Sequence, residues 1–182
     1  MSAKVNARVT LHQGRIFNLV KENVTLENGV TTDMEYIQHP GAAAIVPLQE
    51  NSRVILLKQY RHALGSYIWE IPAGTLDPPE TAISCAKREL IEETGYSAKV
   101  WHPLGEITPV PGYSDERVYI FLATLLEPAM QNLDEDEMLN VHEVKFDEAI
   151  EMIARGEIQD GKSISGLFMA KNWLNKNITT PK

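Results

Sequence analysis

The stretch GTLDPPETAISCAKRELIEETGY, residues 74–96, decides the fold because it combines helix start and stop signals with a high density of carboxylates. Asp77 is a good N-cap residue, and Glu80 can complete a capping box, with two prolines between them in the first turn. Gly95 stands where a helix favours a left-handed C′ residue. The pattern predicts one helix that begins after Asp77 and ends before Gly95.

This helix is predicted to have a core-facing arc and an acidic arc beside it. At about 100° per residue, one arc collects the apolar residues Ala82, Ile83, Ala86 and Leu90. Glu89, Glu92 and Glu93 fall on the neighbouring arc, where like charges at this spacing repel one another. Oxygen-only ligands suit Mg²⁺ or Mn²⁺, and Arg88 can pair with the same carboxylates. The alternative interpretation is a solvated acidic face, which is the commoner case for an isolated E-x-x-E-E.

The wider spacing favours the metal-site interpretation. Gly74, five residues, Glu80, seven residues and then RELIEETG at 88–95 resemble the Nudix box at each charged and glycine position. Tyr96 is a mild departure, because the family prefers an aliphatic residue at this packing position. On this resemblance the chain is identified as a member of the Nudix hydrolases, which implies an α/β/α sandwich with a mixed β-sheet.

Composition limits the classes of function. The 182 residues, 43% hydrophobic and 23% charged, suit a soluble globular protein with a substantial core. The net charge of −8 argues against a nucleic-acid partner, although a small anion can bind at a locally positive or metal-loaded site. No apolar run reaches membrane-spanning length, and MSAKVNARVT lacks the hydrophobic segment of a signal peptide, so we expect no membrane partner. Cys85 is the only cysteine, which predicts no internal disulfide and fits the cytoplasm.

The order of segments along the chain is typical of an α/β sandwich. Residues 14–39 are expected to form an N-terminal antiparallel β-hairpin around Asn28-Gly29, a type I′ turn signal. Strands at 42–48 and 54–60 are expected to pair as a second hairpin. Further strands are predicted at 67–71, 99–104, 117–126 and 138–144.

Two helices are predicted near the C-terminal end. One covers 147–155, with Asp147 as its N-cap and Gly156 after it. The other covers 163–174 and is expected to bury Ile164, Leu167, Phe168 and Leu174.

The resemblance to the Nudix box implies roles for its residues. Hydrolysis of a diphosphate requires divalent cations, which offset phosphate charge and lower the pKa of the attacking water, and a base that takes a proton from that water. The implied metal ligands are the carbonyl of Ala73 and the carboxylates of Glu89, Glu92 and Glu93. Glu92 is either a ligand or a close neighbour of one, and Arg88 and Glu80 are expected to orient the reacting groups.

Motifs outside the box are similar to those of the ADP-ribose pyrophosphatase branch. They are QYR at 59–61, WEIPAG at 69–74 and PGYSDE at 111–116. This similarity implies Mg²⁺-dependent hydrolysis of ADP-ribose to AMP and ribose 5-phosphate. Hydrolases of other nucleoside diphosphate sugars, such as GDP-mannose, share several of these motifs, and dinucleoside polyphosphates or NADH are less favoured. A nucleotide-binding module without turnover is the alternative of a different class, which the complete carboxylate set disfavours.

The general base is expected in the acidic loop at 127–137. The branch often places its base just before the strand that begins at Met138, which makes Glu137 the first candidate and Glu135 the second. The competing interpretation is that these loop charges are simply solvated.

Three charged residues are candidates for substrate contact. Arg61 follows a strand end, where its guanidinium could grip a phosphate with two N–H groups or pair with an acid. Glu70 could hold a ribose hydroxyl or a metal-bound water, or pair with Arg61. Glu116 lies in a loop that is expected to face the substrate.

Adenine recognition requires an aromatic platform. The candidates are Phe17, Tyr36, Tyr60 and Trp69. In this branch the N-terminal strands commonly reach across a homodimer, so we divide the chain into a dimer-forming β region at 1–40 and a hydrolase domain at 41–182. Phe17 or Tyr36 would then serve the site of the other subunit.

Overall fold

The computed structural model describes residues 3–133 and 138–178, and Glu135 and Glu137 lie outside these ranges. The described strands are β1 Lys4–Gln13, β2 Asn18–Thr25, β3 Thr31–Gln38, β4 Ala42–Pro47, β5 Arg53–Arg61, β6 Ser66–Glu70, β7 Ala73–Thr75, β8 Tyr96–Ile107, β9 Val118–Pro128 and β10 Leu139–Lys145. The described helices are α1 Ala82–Thr94, α2 Phe146–Ala154 and α3 Gly161–Ile178, with a short 3₁₀ turn at His62–Leu64.

A mixed four-stranded sheet in the order β7-β4-β9-β8 forms the centre of the fold. Strand β4 runs parallel to β9, and the other two pairs are antiparallel. All six residues of β4 are buried, as expected for a central strand covered on both faces. Ala43 and Ile45 pack with Cys85, Ala86 and Leu90 of α1, while the alternate residues of β4 face the opposite core. These layers confirm the predicted α/β/α sandwich with a mixed sheet.

The opposite core is closed by a second sheet in the order β10-β5-β6, together with α2 and α3. The predicted hairpin of β4 with β5 is wrong, because the two strands belong to different sheets. They share only an isolated bridge between Leu48 and Val54. Both faces of β4 are apolar, so β5 crosses into the next layer and covers one of them with Val54 and Leu56.

The N-terminal region is a three-stranded antiparallel sheet in the order β1-β2-β3. The predicted hairpin exists as β2 and β3, but the connection is a five-residue loop from Leu26 to Val30. A type I′ turn would need positive φ at Asn28 as well, whereas only Gly29 has it, at +82°. Strand β1 was missed by the sequence analysis, although Val5, Ala7, Val9 and Leu11 alternate with polar residues as in a strand; all ten residues are exposed in the folded chain.

Helix α1 begins at Ala82, five residues after Asp77, which was predicted to be its N-cap. Thr81 caps the helix instead, and its hydroxyl accepts a hydrogen bond from the Ser84 N–H. Asp77 and Pro78 each precede a proline, which disfavours helical backbone at both positions. The predicted end is correct, because Gly95 has φ of +71° and its N–H donates to a carbonyl of the last turn.

The C-terminal helices differ from their predictions in detail. Helix α2 starts at Phe146, so Asp147 lies in its first turn and is not its N-cap. Helix α3 starts two residues earlier than predicted and buries Leu167 and Ala170, while Phe168 is 47% exposed and was wrongly placed in the core. No helix within the described ranges combines the length and the apolar character needed to cross a bilayer.

Candidate active site

A cavity of about 1220 Å³ opens between α1, the end of β5, the start of α3 and the segments on either side of the loop at 108–117. Most of the predicted site residues line this cavity, namely Arg61, Ala73, Arg88, Glu89, Glu92, Glu93 and Glu116. Two groups of charged side chains supply much of the lining, together with the partners that hold them. The carboxylate wall is Glu80, Glu89, Glu92 and Glu93 with Arg88, and the cationic wall is Arg61 and Lys162 with Glu70.

Arg88 is the centre of the carboxylate wall. Its Nη1 donates to Glu89 Oε1 at 2.6 Å and to Glu92 Oε2 at 3.0 Å. Its Nη2 donates to Glu80 Oε1 at 2.7 Å and to the Thr75 carbonyl at 3.2 Å. The hydrogen bond with Glu80 raises the pKa of Arg88 above its ordinary value and lowers the pKa of Glu80. One guanidinium is thus shared among three carboxylates.

Close packing of β7 on α1 explains the glycine of the box. A Cβ atom at Gly74 would lie 1.7 Å from Glu89 Oε1, so any side chain there would displace this carboxylate. Glu93 is 1% exposed, and its Oε2 accepts a hydrogen bond from the Ala73 N–H at 2.9 Å. The backbone of β7 therefore holds Glu93 by a hydrogen bond, and the absence of a side chain at Gly74 leaves room for Glu89.

The donor chemistry of the carboxylate wall fits a hard divalent cation, because carboxylate and carbonyl oxygens are the ligands that Mg²⁺ and Mn²⁺ prefer. Among the described residues, no three acidic, histidine or cysteine side chains are already gathered around one point where an ion could sit, and Arg88 donates to both Glu89 and Glu92. The guanidinium N–H groups take carboxylate oxygens that a metal would use. A bound cation would therefore compete with Arg88 for these oxygens.

On the cationic wall, Glu70 is the buried partner of two positive side chains. It ends β6 and is 3% exposed. Its Oε2 accepts a hydrogen bond from Arg61 Nε at 2.9 Å and forms an ion pair with Arg61 Nη2 at 2.7 Å, and its Oε1 accepts from Lys162 Nζ at 2.9 Å. Of the alternatives weighed for Glu70, the ion pair with Arg61 is the one that the structure contains.

Lys162 was missed by the sequence analysis because it lies 92 residues from Glu70. The run DGKS at 160–163 held a signal for it, since an aspartate before a lysine and a serine is typical of a helix start. Asp160 Oδ2 accepts from the Ser163 N–H at 2.9 Å and from Lys162 Nζ at 3.0 Å. Burial raises the pKa of Asp160, but the charge of Lys162 and the hydrogen bonds from Ser163 outweigh it, so the net shift is downward.

Glu116 lies at the edge of the cavity, on a loop that is tied to the N-terminal sheet. The Ile37 N–H donates to the Tyr113 carbonyl at 2.8 Å, and the His39 N–H donates to Asp115 Oδ1 at 2.8 Å. His39 Nδ1 accepts from the Gly41 N–H and lies 3.9 Å from Glu116 Oε1. The end of β3 thus positions the loop that carries Glu116.

The two N-terminal aromatic candidates do not line the main cavity. Phe17 is 41% exposed and borders a smaller cavity of about 330 Å³ between β1, β2 and the end of β3. The Tyr36 hydroxyl donates to Glu22 Oε1 at 3.2 Å on the N-terminal sheet. Tyr60 does line the main cavity, with its ring 5.4 Å from that of Tyr67, whereas Trp69 packs against His142.

Comparisons with known proteins agree with this architecture. The NUDIX domain matches residues 38–167. The chain is 36% identical over 165 residues to the ADP-ribose pyrophosphatase of Bacillus subtilis (strain 168), covering 90% of this chain and 89% of that one. It is 37% identical over 167 residues to the ADP-ribose pyrophosphatase of Mycobacterium tuberculosis, covering 87% and 78% of the two chains.

A crystal structure of an ADP compounds hydrolase has the same fold, with a TM-score of 0.85 over 97% of this chain and 96% of that one at 24% identity. The chain belongs to the NUDIX family. It is a Nudix hydrolase, an enzyme class that acts on pyrophosphate bonds.

Proposed function

We propose that this chain hydrolyses the diphosphate of ADP-ribose to AMP and ribose 5-phosphate with the help of Mg²⁺, or Mn²⁺ in its place. The observation that carries the proposal is that Glu89, Glu92 and Glu93 of the carboxylate wall and Arg61 and Lys162 of the cationic wall line one cavity of about 1220 Å³. This volume is above the range of about 300–1,000 Å³ that is typical of small-ligand cavities, so there is room for a nucleoside diphosphate sugar. The two relatives named ADP-ribose pyrophosphatase support the choice of substrate.

The carboxylate wall would hold the divalent cation through the Ala73 carbonyl and the side chains of Glu89, Glu92 and Glu93. When bound, the cation supplies phosphate-charge neutralisation and a water of lowered pKa. Arg88 orients Glu89 and Glu92 by donating to both, and Glu80 holds Arg88 in turn. Their role is positioning, which is why the spacing of the box includes them.

Substrate recognition would fall to other residues that line the cavity, namely Arg61, Glu116 and Tyr60. Arg61 uses Nε and Nη2 on Glu70, while its Nη1 makes no hydrogen bond within the described residues and can donate to a phosphate oxygen. Glu116 faces the same space and would accept hydrogen bonds from sugar hydroxyls. Tyr60 offers an aromatic face for the adenine.

We propose Glu137 as the general base, with Glu135 as the second candidate. The support is the position of both residues immediately before β10, whose first residue Leu139 pairs with Gln59, a residue that also lines the cavity. Glu137→Gln should lower kcat strongly and leave KM nearly unchanged, and Glu135→Gln should do little. The reverse result would assign the base to Glu135, and an intact kcat in both variants would exclude the acidic loop as its source.

We further propose that residues 1–40 form a dimer region attached to a hydrolase domain at 41–182, in a cytoplasmic homodimer. Strand β1 exposes Val5, Val9 and Leu11 at about half of their surface, which suits pairing with a second copy. In such a dimer, Phe17 or Tyr36 would reach the site of the other subunit. Cys85 is buried and forms no disulfide within the chain, which is compatible with the cytoplasm. Sedimentation tests the assembly, and a fully active monomer would contradict it.

The first experiment is a chromatographic screen of ADP-ribose, GDP-mannose, UDP-glucose, diadenosine polyphosphates and NADH, each with and without Mg²⁺. We expect AMP formation that is fastest from ADP-ribose and requires the cation. Faster turnover of another diphosphate would keep the chemistry and change the substrate. Binding without turnover of any compound would favour a nucleotide-binding module.

A further inference from the structure

Glu70 carries a charge in a buried position and divides its two oxygens between two cations. Arg61 takes Oε2 with two of its nitrogens, at 2.9 and 2.7 Å, and Lys162 takes Oε1 at 2.9 Å. A carboxylate that is 3% exposed is stable only when both oxygens have donors. Arg61 contacts only Oε2, so Lys162 supplies the donor for Oε1.

The first turn of α3 holds Lys162 in place. Asp160 Oδ2 accepts from Lys162 Nζ at 3.0 Å and from the Ser163 hydroxyl at 2.5 Å. The Ser163 hydroxyl in turn accepts from the Ile71 N–H at 2.8 Å, in the connection between β6 and β7. The ammonium group is thus anchored to α3 on one side and directed at Glu70 on the other.

Loss of Lys162 would change the geometry of Arg61. A guanidinium beside a carboxylate prefers the bidentate arrangement, with one N–H group to each oxygen. In the structure Lys162 donates to Oε1, and both Arg61 contacts, through Nε and Nη2, fall on Oε2. Without the lysine, we expect the guanidinium to shift so that it contacts both oxygens, which would change the position of Nη1.

We propose that Lys162 is a positioning residue for substrate binding, which acts through Glu70 to hold the Arg61 guanidinium with Nη1 available to a phosphate of the substrate. This inference rests on the proposed hydrolysis of a nucleoside diphosphate sugar. It extends that proposal by giving α3, which lies outside the box, a defined part in recognition.

The test compares Lys162→Met with wild type in steady-state kinetics, and in calorimetric binding of ADP-ribose with EDTA present. If wild type prefers another diphosphate of the screen, that compound replaces ADP-ribose, so a wrong substrate and a wrong role for Lys162 give different results. We expect KM and Kd to rise about 10- to 100-fold, since a charge-assisted hydrogen bond is lost, while kcat changes less than about threefold. Lys171→Met, an exposed lysine of the same helix, is the matched control.

A double-mutant cycle separates positioning from direct contact. If Lys162 acts through Arg61, adding Lys162→Met to Arg61→Gln should raise Kd by less than about threefold beyond Arg61→Gln alone. Additive effects would overturn the proposal, because Lys162 would then act independently of Arg61. An unchanged Kd in Lys162→Met alone would overturn it as well.

Should Lys162→Met fail to fold by circular dichroism, Glu70→Gln replaces it. The amide keeps the shape of the side chain but attracts neither cation strongly. Arg61→Gln should then add less than about threefold to the Kd of Glu70→Gln. A full additional loss would show that Arg61 is held without Glu70 and would overturn the proposal.

Discussion

The carboxylate wall and the cationic wall differ in their balance of positive and negative side chains. The carboxylate wall has four glutamates and one guanidinium, that of Arg88, which donates to three of them, while Glu93 accepts from the Ala73 N–H, so the wall keeps an excess of negative charge at the edge of α1. In the cationic wall, the single carboxylate of Glu70 pairs with both Arg61 and Lys162. Asp160 also pairs with Lys162 and balances its charge. The first arrangement attracts a divalent cation by net charge, whereas the second presents directed N–H groups to an anion without a large net charge.

The two walls also differ in how they are assembled. The glutamates of α1 are neighbours in sequence, and helical spacing alone brings them together. Arg61, Glu70 and Lys162 come from β5, β6 and α3, which meet only in the folded chain. A change in the first wall should therefore affect the chemistry directly, and a change in the second should affect how tightly the substrate is held.

The largest expected effect comes from breaking the carboxylate wall with Glu93→Gln. The amide keeps the volume of a side chain that is 1% exposed but removes the negative charge that a metal ligand requires. We expect kcat to fall more than about 100-fold, since even residues behind metal ligands cost 10- to 100-fold when lost. The measurement is steady-state kinetics over a Mg²⁺ titration.

Glu151→Gln, on the exposed side of α2, is the control for Glu93→Gln, and it should leave kcat unchanged. A Glu93→Gln enzyme within about threefold of wild type would exclude this residue from the proposed metal site.

The next effect tests the cationic wall with Arg61→Lys. Lysine keeps the charge but cannot place two nitrogens on Glu70 and a third toward the cavity. We expect KM to rise about tenfold with a smaller change in kcat, because the lost contact is made in the bound substrate as well as in the transition state. Arg155→Lys, which replaces an exposed arginine at the end of α2, should change neither constant. A fall in kcat at constant KM would place Arg61 with the carboxylate wall instead.

A smaller effect is expected where β7 touches the carboxylate wall. In Gly74→Ala the new methyl group would overlap Glu89 Oε1, so the carboxylate must leave Arg88. We expect a loss of about 1–3 kcal/mol in the free energy of unfolding, measured in urea, and a clear loss of activity. Gly112→Ala is the matched control, since a Cβ atom there meets nothing within 4 Å. Equal stability of the two variants would show that Glu89 moves aside freely.

The smallest effect concerns Asp160, which pairs with Lys162 of the cationic wall. The pKa of Asp160 lies below its ordinary value of 3.8, so its ionised form stabilises the folded state. This contribution is complete above pH 3.8 and disappears as the pH falls through the lower pKa of the folded protein. Asp160→Asn should therefore lose about 1 kcal/mol of unfolding free energy at pH 7 and less below pH 3.8.

Urea unfolding at several pH values measures this difference, with Asp147→Asn in the exposed first turn of α2 as the comparison. A gap between wild type and Asp160→Asn that widens on acidification would contradict the prediction.

Several parts of the fold could be predicted from local patterns. The spacing of apolar and acidic residues predicted α1, and Gly95 predicted its end, because both signals act within one or two helical turns. The start of α1 could not be placed by its capping pattern, since the consecutive prolines keep Asp77 outside the helix and Thr81 takes its role. The pairing of β4 and β5 was wrong for a different reason, because nearness in sequence does not show how many layers a fold has.

The sequence by itself determined the family, the helix that carries the glutamates and most of the residues along the carboxylate wall, because these features depend on short-range spacing. Only the tertiary structure decided that Glu70 is buried between Arg61 and Lys162, and that Phe17 and Tyr36 lie outside the main cavity of their own chain. Such contacts join residues far apart along the chain. They are set by which strands and helices pack together to bury the core, and no local pattern encodes that choice.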